Sequence, residues 1–132
     1  DEFFLNYLEK SQTAHLSWSS QGRGYFLPDE ITKKIEEEIT KSETWREPGE
    51  YSSGPLSCFD SEDNRERKKR AFTLAKNMKI DPQNIAGAWP LNFKFPSFAL
   101  VGPRNIEELD SSLKNINVEL TQEQVNWLNL KK

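Results

Sequence analysis

Cysteine, histidine and methionine occur once each among the 132 residues. A single thiol, Cys58, excludes an internal disulfide framework and a cysteine-based zinc site. No stretch approaches the ~18 apolar residues of a membrane span, and no charged-then-apolar leader opens the chain. Neither sign of charge dominates, since 18 basic residues face 21 acidic ones for a net charge of -3. That balance argues against a nucleic-acid partner held by phosphate neutralisation. Apolar residues are also scarce, at 35% against 30% charged. Leu, Ile, Val and Phe together only just exceed the roughly 20% below which chains tend to stay disordered. Eight Phe, four Trp and three Tyr supply a thin core. The length suits one domain and not two. A cytoplasmic protein with no membrane partner is expected.

What is present is a helix-rich pattern with two strands. The chain starts at Asp1 without a Met, and residues 2–10 already read as mid-helix, with Phe4, Leu5 and Leu8 on one face. Residues 13–18 (TAHLSW) read as a strand and residues 19–24 (SSQGRG) as a turn. Asp29 is placed as the cap of a polar helix whose apolar line is Ile31, Ile35 and Ile39. Residues 42–60, with Pro48, Gly49, Gly54 and Pro55, read as a long loop. Ser61 caps a charged helix to about Met78, with Ala71, Leu74, Ala75 and Met78 inward. Its basic run Arg65, Arg67, Lys68, Lys69 and Arg70 reads as a solvated face.

Asp81-Pro82 opens a further helix that buries Ile85, Ala86, Ala88 and Trp89, and Pro90 should end it. Residues 98–101 (FALV) read as a strand buried on both faces. Gly102-Pro103 then turns into a helix with Ile106, Leu109, Leu113 and Ile116 on one side. Thr121 and Gln124 form a capping box, Leu120 and Val125 a hydrophobic staple, and Val125 and Leu128 point inward. Strands alternating with helices imply parallel βα units. Two buried strands do not make a sheet, so the chain reads as part of a larger fold.

Both strand-to-helix junctions share one character. Ser19-Ser20-Gln21-Gly22-Arg23-Gly24 follows the first strand, and Gly102-Pro103-Arg104 follows the second. Glycines permit close backbone approach, and a helix start favours anions. Each segment also carries one arginine. At the C-terminal ends of adjacent parallel strands the two loops would converge on a phosphate-bearing ligand. Taken singly, Gly102-Pro103 is equally a tight turn, and Arg104 a surface residue.

Three segments, SWSSQGRGYF (17–26), SEDNRERKKRAFTLAKNMKIDPQNIAGAW (61–89) and FALVGPRNIEELDSSLKNINVELTQEQVNWLNL (98–130), resemble the C-terminal part of the aldo-keto reductases. The resemblance implies an α/β fold, the last two strands and helices of a (β/α)8 TIM barrel. Residues 1–132 would be a C-terminal fragment, with residues 27–60 a variable loop and helix insertion. It also implies NADP(H) as cofactor and hydride transfer to an aldehyde or ketone. Trp18 would stack on the nicotinamide, although by residue type alone it simply ends a buried strand. Ser19, Gln21, Gly22 and Arg23 would hold the pyrophosphate. Gly102 belongs to the second loop, and Arg104 would recognise the 2′-phosphate of NADPH through its guanidinium fork. Glu108 sits where relatives often carry Gln, His or Arg near the adenosine, and Ser112 lies beside it.

The chain departs from the family pattern in several places. Ser111-Ser112 stands where relatives commonly show Glu-Asn, Pro103 lacks an N–H, and Pro90 interrupts a helix that usually runs on. The family's Asp, Tyr, Lys and His catalytic group belongs to the first half of the barrel. Tyr7, Tyr25, Tyr51 and His15 do not match its positions. His15 is expected to be packed or solvent-facing, and Cys58 inert. The chain by itself is therefore expected to be inactive, with the missing barrel half or a second copy as partner. Two rival readings remain: a non-catalytic NADP(H)-binding or interaction protein, and an unrelated α/β phosphate-binding domain.

Overall fold

Short polar side chains at the helix starts set much of the local structure. The computed structural model describes residues 2–45, 47, 50 and 52–131. Helix α1 is Glu2–Ser11, strand β1 His15–Ser17, α2 Asp29–Ser42, α3 Pro55–Phe59 and α4 Glu62–Met78. Then come α5 Pro82–Ala88, β2 Ser97–Ala99, α6 Ile106–Leu113 and α7 Gln122–Leu128. Ser61 Oγ accepts the Asn64 N–H at the start of α4. Thr121 and Gln124 complete the expected capping box at α7. Pro90 acts as anticipated: α5 stops at Ala88 and the chain tightens into a 3-10 turn over Trp89–Asn92.

The core lies between α4, α5 and α7. Ala71, Leu74 and Ala75 of α4 meet Ile85 and Ala88 of α5, with Val118, Leu120, Val125 and Leu128 closing the cluster. Trp89 and Phe93 pack edge to face at 4.6 Å, and Phe93 stacks on Phe95 at 5.0 Å. A Cβ at Gly87 would collide with the buried carboxamide of Asn115, so α5 and the segment after α6 touch through a bare backbone.

Several expectations need correction. Asp29 does not cap α2; Pro28 holds the cap position, and Asp29 is the first helical residue. Its carboxylate instead binds Lys68 Nζ at 2.6 Å, and that ion pair holds the acid below the usual carboxylate range. The stretch 42–60 is not all loop, since Pro55 opens the short helix α3. Pro48, Gly49 and Tyr51 lie outside the described residues. The basic run of α4 is only partly solvated. Lys68 is mostly buried and sits 5.2 Å from the centre of the Tyr25 ring. Arg70 ties α4 to α7, donating to the Trp127 carbonyl at 2.6 Å. Long basic side chains lay their stems on apolar surface, so a charge run can also be packing.

The two strands run parallel, pairing His15 with Ser97, Leu16 with Phe98 and Ser17 with Ala99. β2 is shorter than the apolar run 98–101 implied, and it is not buried on both faces. Side chains alternate across a strand, so Leu16 and Phe98 share one face and His15, Ser17, Ser97 and Ala99 the other. The second face is partly covered; His15 packs edge-on against Phe4 and Phe95. The first is open: Leu16 is 59% exposed and Phe98 55%, and beyond them Trp18 is 77% exposed. The expected helix ends at Leu113, and a 3-10 turn follows over Lys114–Asn117; the apolar side of this stretch is also uncovered, with Ile106 73% and Ile116 69% exposed, while Ser112 and Asn115 face inward. Among the described residues, helices cover one face of a two-stranded sheet and nothing covers the other.

Candidate functional site

Both βα loops leave the C-terminal ends of β1 and β2 side by side. Ser20 Oγ donates to the Leu100 carbonyl at 3.1 Å, tying one loop to the other. The first loop turns sharply: Ser19 and Arg23 both have φ 53°, in the small left-handed region that few non-glycine residues adopt. Backbone held in this left-handed region is strained and is often found at ligand sites. Gly22 N–H donates to the Ser19 carbonyl at 2.7 Å, which closes the turn.

Between the loops and α2 lies a cleft of about 910 Å³, within the roughly 300–1,000 Å³ range of ligand pockets. Trp18, Ser19, Gln21, Arg23, Gly102, Arg104, Glu108 and Ser112 all line it. Gly22 does not; its missing side chain makes room for Tyr25 and Phe26 underneath. Gly102 has no atom near the place of a Cβ, so its side of the cleft is open to a ligand.

The polar groups are held from below. Ser112 Oγ donates to Gln21 Oε1 at 3.0 Å, joining α6 to the first loop. Gln83 donates to Ser111 Oγ at 2.7 Å, and Asn84 to Asn115 Oδ1 at 2.8 Å. These amides were not singled out in the sequence, where isolated Asn and Gln carry no signal. Arg23 donates to the Ser53 carbonyl at 2.6 Å. Arg104 is clamped by Glu108, with Nη2 at 2.7 Å and Nε at 3.0 Å from its carboxylate. The pairing raises the Arg104 pKa and lowers that of Glu108, the hydrogen bonds being the main cause in each.

One wall comes from the stretch 27–60, through Ile35, Ile39, Glu43 and Ser53. Glu36 of α2 anchors it by accepting from Ser52 Oγ at 2.7 Å, Ser57 Oγ at 2.5 Å and Leu56 N–H at 2.7 Å. Partial burial pushes this carboxyl upward, yet the hydrogen bonds together outweigh it and hold it below the usual carboxylate range. A depressed folded-state pKa means the contribution is present above the unfolded value and lost as pH falls through the folded one. Glu36→Gln is therefore expected to lower the thermal midpoint at pH 7. Its deficit should shrink as pH drops below the ordinary glutamate value, about 4.3, read by circular dichroism melts; a deficit independent of pH would remove the carboxylate from this role.

Parallel strands joined through helices, with a ligand-sized cleft at their C-terminal ends, define a protein built of βα units. The model of the Aldo/keto reductase family matches residues 5–131, and the chain belongs to that family. Membership carries a general oxidoreductase function, a (β/α)8 barrel as the family fold, and in general a nicotinamide nucleotide and a carbonyl substrate. The two parallel strands seen among the described residues are consistent with part of such a barrel. No curated protein matches the chain. Among the described residues no helix is long and apolar enough to cross a membrane.

Proposed function

We propose that this chain forms the cofactor-binding end of an NADP(H)-dependent reductase of aldehydes and ketones, built as the last two βα units of a barrel. The observation that carries the reading is the convergence of both loops on one cleft, with an indole, two guanidiniums and open backbone at Gly102 around it. Trp18 offers an exposed ring at the strand end for the nicotinamide, and Ser19, Gln21 and Arg23 donate toward a pyrophosphate. Arg104 meets the 2′-phosphate, and Ser112 holds Gln21 in place at the adenosine end. The bound nucleotide supplies the hydride that reduces the carbonyl carbon. A proton donor and the remaining strands come from outside the 132 residues. The uncovered Leu16 and Phe98 face is the one a barrel would turn inward, since the helical side is already occupied. Cytoplasmic location accompanies this reading.

Replacing Arg104 by Ala should cost about 1.5–3 kcal/mol in NADPH affinity, the range of a charge-assisted hydrogen bond, with little change for NADH. Titration calorimetry with both nucleotides measures the difference. Equal losses for the two would take Arg104 away from the 2′-phosphate.

A further inference from the structure

Of the charged groups lining the cleft, Arg23 and Arg104 are positive while Glu43, Glu107 and Glu108 are negative. A cleft meant for a ligand with three phosphates would gain from the opposite balance. Glu108 bears on this most directly. Asn105 Oδ1 accepts the Glu108 N–H at 2.8 Å, and Glu108 Oε2 accepts the Arg104 N–H at 2.8 Å. The carboxylate is thus fixed at the N-terminus of α6, where the helix favours negative charge. From there it binds the Nε and Nη2 edge of Arg104, the fork that a phosphate would use for bidentate contact. Glu38 of α2 adds a further negative neighbour to Arg104.

We propose that Glu108 is a specificity-determining residue that works against a 2′-phosphate by holding the guanidinium fork of Arg104 and placing a like charge beside it. The inference rests on the cofactor reading above. A phosphomonoester has to part the pair and then lie against the displaced carboxylate. A ribose with free 2′- and 3′-hydroxyls meets no such conflict, because its O–H groups donate to the carboxylate while Arg104 stays paired. Arg104 draws NADPH in and Glu108 restrains that preference, so NADH remains a competent ligand.

The test uses the purified protein and four probes: NADPH, NADH, adenosine 2′,5′-bisphosphate and AMP, with dissociation constants from Trp fluorescence and calorimetry. Glu108→Gln keeps an acceptor for the Arg104 N–H and removes the charge. It should tighten NADPH and the bisphosphate about tenfold, the effect of one charge-assisted contact, and shift NADH and AMP less than about twofold. In an Arg104→Ala background the same substitution should give a much smaller gain, since only the like charge is then relieved. Glu108→Ser serves as a second variant read by the same ratio should the first misfold. Equal shifts for both nucleotides, or a gain undiminished without Arg104, would overturn the role of Glu108 while leaving the cofactor site standing. A folded wild type that binds none of the four probes would overturn the cofactor reading and this inference with it.

Discussion

At micromolar concentration the purified 132-residue chain is expected to run as an assembly, its mass by light scattering a multiple of 15.3 kDa. Leu16, Trp18, Phe98 and Leu100 stand on one open sheet face, and Ile106, Leu113 and Ile116 on the open side of α6 and the turn after it. Fully burying a large apolar side chain is worth about 1.5–3 kcal/mol, so covering even a few of these outweighs the usual cost of association. Soluble monomers rarely show such patches, and among the described residues the two parallel strands leave both sheet edges without a further strand. A second copy, or the further strands of a barrel, would provide the cover. Leu16→Ser combined with Phe98→Ser should move the population toward monomer, since a polar face no longer gains from burial. A compact wild-type monomer of 15 kDa with a cooperative melt would show that the strands find cover within one chain. The incomplete-barrel reading would then have to go.

The helix ends were the most legible part of the sequence because their cause is local. Ser61, Thr121 and Gln124 act on backbone groups within three residues, and Pro90 acts on its own turn. The cleft was legible for a different reason: Gly-rich turns with arginine at two strand ends constrain where a ligand can lie. What could not be read was everything decided by distant partners. Phe98, Leu100 and Val101 form an apolar run that suits a doubly buried strand, yet their exposure depends on neighbours that the described residues do not supply. Lys68 and Arg70 look like any charged helix face until Tyr25, Asp29 and Trp127 are brought alongside. The Arg104–Glu108 clamp is legible in the sequence as an i, i+4 pair, since a guanidinium placed for a phosphate is equally placed for a carboxylate one helical turn on.

The largest functional effect expected is an absence of turnover. Carbonyl reduction by hydride needs a proton delivered to the oxygen, and a positioned general acid contributes about 10²–10⁴-fold in rate. Among the described residues, those lining the cleft include no Tyr, His, Lys, Cys or Asp; the titratable ones are three glutamates and two arginines. Glu108 is held ionised by Arg104, so it has no proton to give near neutral pH. Tyr25 is buried away from the cleft, donates to Asp60 at 3.0 Å, and has its pKa pushed up to about 12 chiefly by that burial. His15 is packed between Phe4 and Phe95 on the sheet's covered side. The 132-residue chain, incubated with NADPH and an aldehyde, is therefore expected to oxidise the nucleotide no faster than buffer does, as followed by its absorbance. Tyr25→Phe and His15→Gln should leave that baseline unchanged. Turnover by rigorously purified chain that disappears in either variant would place the proton donor within these residues and contradict the assignment.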